Sequence, residues 1–382
     1  MLRSRQQRGG FLGALVVAFT MVLLGAGALA SAAQALPAKF WGVVPQGMLE
    51  AEQFARIKRG GVDSIRIAIP WASVQGAPGA APEWAGVDAV VARATQAGID
   101  VLPYVNGAPV WAVPSAIVPG THGLAAAPRN LPAAGSAATA WTAFLKLAVG
   151  RYGPNGSFWA ENPTLAKRPI RTWQIWNEEN FKYFVARPNP AEYGKLVRIS
   201  STAIKSVDHG AKIILGGLFA RPGEAQYKVK PPQAYFAGDF LNQMYKRTPG
   251  IKSKFDGIAL HPYTGNYRRL MPDIEEAREA LEANHDEAKG LWITELGWSS
   301  GPPEPGNSFA KGPGGQVTQL KGAFSVLISN QVKWHLKGVY WFSLEDGPKS
   351  ACNFCDGSGL FASGFLAKPS WKAYVKFAGG RP

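Results

Sequence analysis

The sequence predicts an α/β chain folded as a (β/α)8 (TIM) barrel. Three observations predict it: eight short apolar runs, amphipathic stretches between them, and no Gly-rich strand-to-helix turn of the dinucleotide-binding type. The runs recur mostly every 25 to 45 residues, room for a crossover helix each time.

Read in order, the strands expected are Phe40–Val44, Ser64–Ile69, Asp100–Tyr104, Arg171–Trp176, Lys212–Gly216, Phe255–Leu260, Leu291–Thr294 and Gly338–Phe342. The helices expected are Leu49–Arg59, Ala85–Ala97, Ala137–Tyr152, Pro190–Val207, Tyr235–Lys246, Asp273–Lys289, Val317–Leu336 and a short Pro369–Phe377. Each carries apolar residues at three-four spacing, the stripe a helix lays against a sheet. No internal repeat or low-complexity linker divides the body, so residues 36–382 read as one barrel domain. One connection is oversized: Asn106–Thr139, rich in Pro, Gly, Ala and Ser, follows the third strand. In a barrel it lies on the C-terminal face, where it is either a lid or cleft wall or an insertion without function.

Residues 1–35 have a different character. Arg3, Arg5 and Arg8 precede an uncharged run, Phe11–Ala30, and small residues follow at Ala28-Leu29-Ala30 and Ala33-Gln34-Ala35. That is the order of a secretory signal peptide, with an uncleaved signal anchor as the other reading. Either leaves the body of the chain outside, secreted or at the cell surface, because the arginines stay in the cytoplasm. A membrane partner is expected only if the segment is uncleaved.

The 382 residues carry 41 Lys and Arg against 26 Asp and Glu, a charge of +15. Loss of residues 1–35 removes three arginines and no acid, leaving +12. A basic exported protein is drawn to anionic cell-envelope polymers. Nucleic acid is not expected, because the basic residues are scattered singly without a recognised motif. Thirteen Trp, 11 Tyr and 19 Phe are a large aromatic complement, and flat indole faces suit sugar rings as well as cores.

Chemistry in a barrel is built at strand ends. The fourth expected strand runs out in Trp176-Asn177-Glu178-Glu179-Asn180, the seventh in Thr294-Glu295-Leu296-Gly297-Trp298. The two glutamates are 117 residues apart, against ~94 for three barrel units without insertions. Opposed strand ends bring two carboxyls across the mouth to ~5 Å, the separation that retaining glycosidases use. Such chemistry needs one protonated and one ionised carboxyl, set apart by their surroundings. Asn177–Asn180 alone also fits a helix N-terminus, where acids favour the macrodipole. The Thr294-Glu295 strand end favours a paired-carboxylate site.

Trp176-Asn177-Glu178 with Thr294-Glu295 resembles the clan A glycoside hydrolases, which include cellulases, β-mannanases and β-xylosidases. Arg151-Tyr152-Gly153-Pro154 through Phe158-Trp159, leading into Ile175-Trp176-Asn177-Glu178, is most similar to the β-xylosidase/α-iduronidase-like branch. The resemblance implies that Glu178 is the acid/base, Glu295 the nucleophile, and Asn177 a ligand of the hydroxyl beside the anomeric carbon. It also implies that Arg66 steadies the nucleophile, that His261 and Tyr263 lie beside it, and that Trp341 is the platform under the cleaved sugar. Trp298 is the second platform candidate. The branch usually has proline after the acid/base, and this chain has Glu179, which either tunes Glu178 or points into solvent.

Cys352 and Cys355 lie in the loop after strand eight. Zinc wants four ligands and no further cysteine exists, so outside the cell a local disulfide is expected. Metal and organic cofactors are not expected. The implied function is an exported retaining glycosidase acting on a polysaccharide or oligosaccharide. The alternatives are a catalytically weak carbohydrate-binding barrel and a transglycosylase using the same residues.

Overall fold

In a computed structural model the chain is described over residues 35–113, 130–221, 230–348 and 352–382. The leader segment up to residue 34, and residues 114–129 of the Asn106–Thr139 connection, lie outside the described residues. The barrel unit runs Leu36–Pro382.

Eight strands form the wall: β1 (Trp41–Val44), β2 (Ser64–Pro70), β3 (Asp100–Asn106), β4 (Thr172–Ile175), β5 (Lys212–Phe219), β6 (Gly257–His261), β7 (Gly290–Leu296) and β8 (Leu336–Phe342). Each pairs in parallel with the next, and β8 closes on β1. The eight expected strands are all present and in order. Eight helices answer the eight expected: α1 (Ala51–Arg59), α3 (Ala85–Gln96), α4 (Gly135–Tyr152), α6 (Pro190–Val207), α7 (Ala237–Arg247), α8 (Leu270–Ala283), α9 (Gly312–Ser329) and α10 (Pro369–Ala378). Short turns α2 (Trp71–Val74) and α5 (Ser157–Glu161) and a small hairpin, β9 (Phe361–Ala362) with β10 (Leu366–Ala367), are additions.

Boundaries moved for local reasons. Strand β5 runs three residues past Gly216, through two glycines that weaken a strand by propensity alone. The missing side chains make room: a Cβ at Gly216 would meet the Glu179 carboxyl, and one at Gly217 would sit inside the His261 ring. Helix α9 starts at Gly312 with Pro313 in its first turn and stops at Ser329, seven residues short of the expected end, because β8 begins at Leu336. Among the described residues no helix is long and apolar enough to cross a membrane.

Two apolar layers result. Val44, Leu102, Ile214, Ala259 and Tyr340 pack together from five strands and fill the barrel axis, with Trp292 and Phe342 against them. Their alternate neighbours, such as Val43, Ile65, Ile213, Ile293 and Trp341, face the helices in the larger cluster. Polar side chains replace apolar ones in the axis toward the strands' C-terminal ends. The site begins there.

Candidate active site

Arg66 points inward from β2 and is fully buried. Its guanidinium is spent on three partners: Nε donates to Gln174 Oε1 (3.0 Å), Nη1 to Glu295 Oε1 (2.6 Å) and Nη2 to Asn177 Oδ1 (2.5 Å). The Tyr104 ring of β3 lies under it, 4.1 Å from centroid to Cζ. A buried guanidinium is costly without partners, and this one has a carboxylate, two amides and a π face. Gln174 in turn donates to Trp176 O (3.1 Å), so Arg66 is tied to the end of β4 twice.

After Ile175 the chain turns sharply, with Trp176 at φ 72° and Glu178 at φ 46°. Side chains rarely adopt this left-handed region, and the surroundings hold it here. The Trp176 indole donates to Phe184 O (3.2 Å), and Glu178 N donates to Gly217 O (3.2 Å). Asn180 Nδ2 donates to Phe219 O and Tyr235 O, while Phe219 N donates back to Asn180 Oδ1. No helix starts at Asn177, so the alternative of acids at a helix N-terminus is set aside.

The turn sends consecutive glutamates to opposite sides of the wall. Glu178 points into the mouth, where His261 Nδ1 lies 2.8 Å from Oε1. Glu179 is fully buried behind the wall, against Gly216 and near Tyr193 of α6, and among the described residues neither of its oxygens has a hydrogen-bond partner. Pointing into solvent, one of the two readings of Glu179, is therefore corrected: the turn that aims Glu178 inward aims Glu179 into the sheet–helix layer.

Glu295 ends β7. Tyr263 donates its phenol to Oε2 (2.8 Å) while Arg66 holds Oε1. His261, closing β6, lies between the two acids: Nδ1 meets Glu178, stands 3.6 Å from Glu295 Oε2, and Nε2 is 3.0 Å from Thr294 Oγ1. Burial, with the Arg66 charge adding to it, holds His261 well below the usual histidine range, so the ring is neutral and carries one N–H. With that proton on Nδ1 it donates to an ionised Glu178. With it on Nε2 it donates to Thr294, and a protonated Glu178 donates to Nδ1.

The electrostatics of the two acids diverge. Burial first, then the negative charge of Glu295, pushes Glu178 well above the usual carboxyl range, against a smaller pull from Arg66. Glu295 receives a guanidinium and a phenol, donors matched to a carboxylate anion. Oxygens of Glu178 and Glu295 and a ring nitrogen of His261 all lie within 4.8 Å of one another. Three such donors are a conceivable cation site, but the Arg66 cation bonded to Glu295 opposes a second positive charge there.

Glu178, Glu295, Arg66, Asn177, His261 and Tyr263 thus converge as the sequence implies. The two tryptophans do not. Trp341 is completely buried on the outer face of β8, against Trp298 and Phe324, and donates to Ser358 O (2.9 Å). Trp298 is equally buried and donates to Thr264 O (2.7 Å). Neither indole face is open to a sugar, which corrects both platform assignments. Strand alternation is the reason: Tyr340 and Phe342 face the axis and Trp341 faces the helices, so a one-residue offset exchanges the faces. Half-buried Phe342 is the aromatic that β8 presents to the mouth. Gln174 and Tyr104 were missed, and Thr294 was given no role of its own; the available signal was a polar group at an inward position of an apolar strand. Phe342 was missed because only the register of β8 shows which face it takes. Cys352 and Cys355 form the expected disulfide.

No family model matches the chain. Solved structures do resemble it. A family 39 glycoside hydrolase from Bacteroides cellulosilyticus is 20% identical with a TM-score of 0.61, the match covering 90% of this chain and 64% of that one. A monomeric β-xylosidase from Caulobacter crescentus is 17% identical, TM-score 0.60, covering 89% and 68%. Xylanase 10B from Thermotoga petrophila, solved with xylobiose, is 13% identical, TM-score 0.58, covering 90% and 94%. The likeness is one of fold. What they share with this chain is the eight-stranded (β/α)8 barrel that the sequence predicts. The chain spans about two-thirds of the first two neighbours' length.

Proposed function

We propose that this protein is a retaining glycoside hydrolase, exported from the cell and acting on a polysaccharide or oligosaccharide. One observation carries the reading: Glu178 and Glu295 face each other within 4.8 Å at the barrel mouth in opposite electrostatic settings. Carboxyls of retaining glycosidases stand ~5–5.5 Å apart, and those of inverting enzymes ~6.5–9.5 Å, to leave room for water.

In this reading Glu178 begins protonated and gives its proton to the leaving glycosidic oxygen as the C–O bond breaks. The ionised Glu295 attacks the anomeric carbon from the opposite face and forms a glycosyl ester. Glu178, now anionic and accepting from His261 Nδ1–H, takes a proton from water, whose oxygen displaces Glu295. Proton and carboxylate return to their starting places, and two inversions leave the configuration unchanged. Asn177, its oxygen pinned by Arg66, presents its amide N–H donors to the hydroxyl beside the reacting carbon. The chemistry balances with two carboxyls and water.

Support also comes from the glycosidase names of the fold neighbours and, for export, from the leader segment. The basic surface fits an anionic envelope polymer as a secondary partner. The test is to screen the protein lacking residues 1–35 on a polysaccharide and aryl-glycoside panel with products sized by mass. Hydrolysis of one glycan class that Glu295→Ala abolishes supports the reading. Binding without turnover by the intact site overturns it in favour of a carbohydrate-binding barrel.

A further inference from the structure

On the β7–β8 side of the mouth two loops meet through aromatic rings. Residues 297–311 bring Phe309 and residues 352–360 bring Phe354, stacked with centroids 4.8 Å apart at 22°. Asn307 Nδ2 donates to Asn353 O (2.7 Å), and Gly347 N donates to Cys355 O (2.8 Å). Phe354 also packs 5.4 Å from Tyr263, closer than Phe219 (5.9 Å), His261 (6.1 Å), Phe309 (6.2 Å) or Phe342 (6.2 Å). Tyr263 supplies the hydrogen bond to Glu295 Oε2, while Arg66 fixes Oε1, so the carboxylate plane is set from two sides.

Phe354 lies inside the four-residue ring that the Cys352–Cys355 disulfide closes. A closure that short removes little entropy from the unfolded chain, so its effect is local rather than on the global stability. What it fixes locally is the backbone carrying Phe354.

We infer that the Cys352–Cys355 disulfide is a positioning device for Glu295: it holds Phe354 against Tyr263, and Tyr263 holds the carboxylate. The inference rests on the nucleophile role given to Glu295 above. Phe354 is a positioning residue, acting through the phenol. Without the staple the loop relaxes, the Tyr263 ring gains room to swing, and Glu295 loses one of its two fixed hydrogen bonds.

The experiment compares wild type, Cys352→Ser/Cys355→Ser, Phe354→Ala, Phe354→Tyr and Tyr263→Phe on the best substrate from the panel. Opening the disulfide and Phe354→Ala are each expected to lower kcat ~10-fold, a fraction of the ~10²-fold cost of a full 1 Å misplacement. KM should stay within about twofold of wild type, and Phe354→Tyr should restore most of the rate. In the Tyr263→Phe background, opening the disulfide should change kcat no further, because the two act in series. An unchanged kcat in an active enzyme, or a full loss persisting without the Tyr263 hydroxyl, overturns the inference and leaves the glycosidase reading intact. If wild type binds a glycan of the panel and hydrolyses none, the glycosidase reading falls. The positional claim is then decided by NMR of 13C-labelled tyrosine: a Tyr263 signal unmoved when the disulfide is opened overturns it, and a shifted or exchange-broadened one supports it.

Discussion

Arg66 and Glu295 form a buried ion pair, Nη1 to Oε1 at 2.6 Å, and the same guanidinium holds Asn177 through Nη2. One cation on β2 thus fixes the end of β7 relative to the residue before Glu178. Arg66→Lys keeps the charge but has a single head group for three partners in three directions. The variant is expected to fold and to lose ~10²-fold in kcat, the cost of misplacing reacting groups by about 1 Å, with KM moving less. Steady-state kinetics beside a circular-dichroism melt check this, and a kcat within threefold of wild type contradicts it.

Glu179 gives a pH dependence of stability that is separable from catalysis. Burial pushes its carboxyl well above the usual range, so the folded state keeps a proton that the unfolded chain gives up. Its contribution is fully present below the unfolded carboxyl's pKa and is lost as pH rises through the folded value. Glu178, raised in the same direction, adds to this trend, and of the groups around Glu179 the remaining titratable one is Tyr193. Glu179→Gln removes one of these two raised carboxyls. Melting temperatures across pH 4 to 9 should fall less steeply for the variant than for wild type, and parallel curves contradict the assignment.

Gly217 exists for the His261 ring, which occupies the space a Cβ would take. Gly217→Ala is expected to destabilise the protein and to displace His261 from Glu178 and Thr294. In Gly217→Ala/His261→Ala the clash is gone, so the double variant should melt no lower than His261→Ala alone. Additive losses contradict this account of the glycine.

The inner and outer faces of β8 should respond differently. Trp341→Ala empties a fully buried site and is expected to cost ~3–5 kcal/mol, read as a drop in denaturation midpoint. Phe342→Ala removes an aromatic at the mouth and should raise KM more than it lowers stability. The reverse pattern would return the platform role to Trp341.

The barrel was legible because eight apolar runs with room for crossover helices leave few alternatives. Glu178 and Glu295 were legible as carboxylates where apolar strands run out, and Arg66, Asn177, His261 and Tyr263 through the resemblance of the motifs that hold them. Trp341 was misplaced because a strand's register decides which face a residue takes, and one residue exchanges the faces. Trp298 lies two residues past β7, where its indole is buried and bonded to Thr264 O. Glu179 was undecided for a related reason: two left-handed residues, Trp176 and Glu178, set its direction, and neither is a glycine that would advertise the turn. Strand β5 looked shorter than it is because Gly216-Gly217 resembles a break until Glu179 and His261 are seen filling the space beside it.

The central claim is the division of labour between Glu178 and Glu295, and azide tests it most directly. Glu178→Ala is assayed on an activated aryl glycoside of the sugar that the panel identifies, with azide added and the product's anomeric configuration read by NMR. Glu295 still forms the glycosyl ester, the good leaving group needs no proton, and azide opens the ester without base assistance. The account predicts a restored rate and a glycosyl azide of the same configuration as the substrate. A glycosyl azide of inverted configuration would mean that azide had taken the place of Glu178 as nucleophile, which contradicts the assignment of both residues.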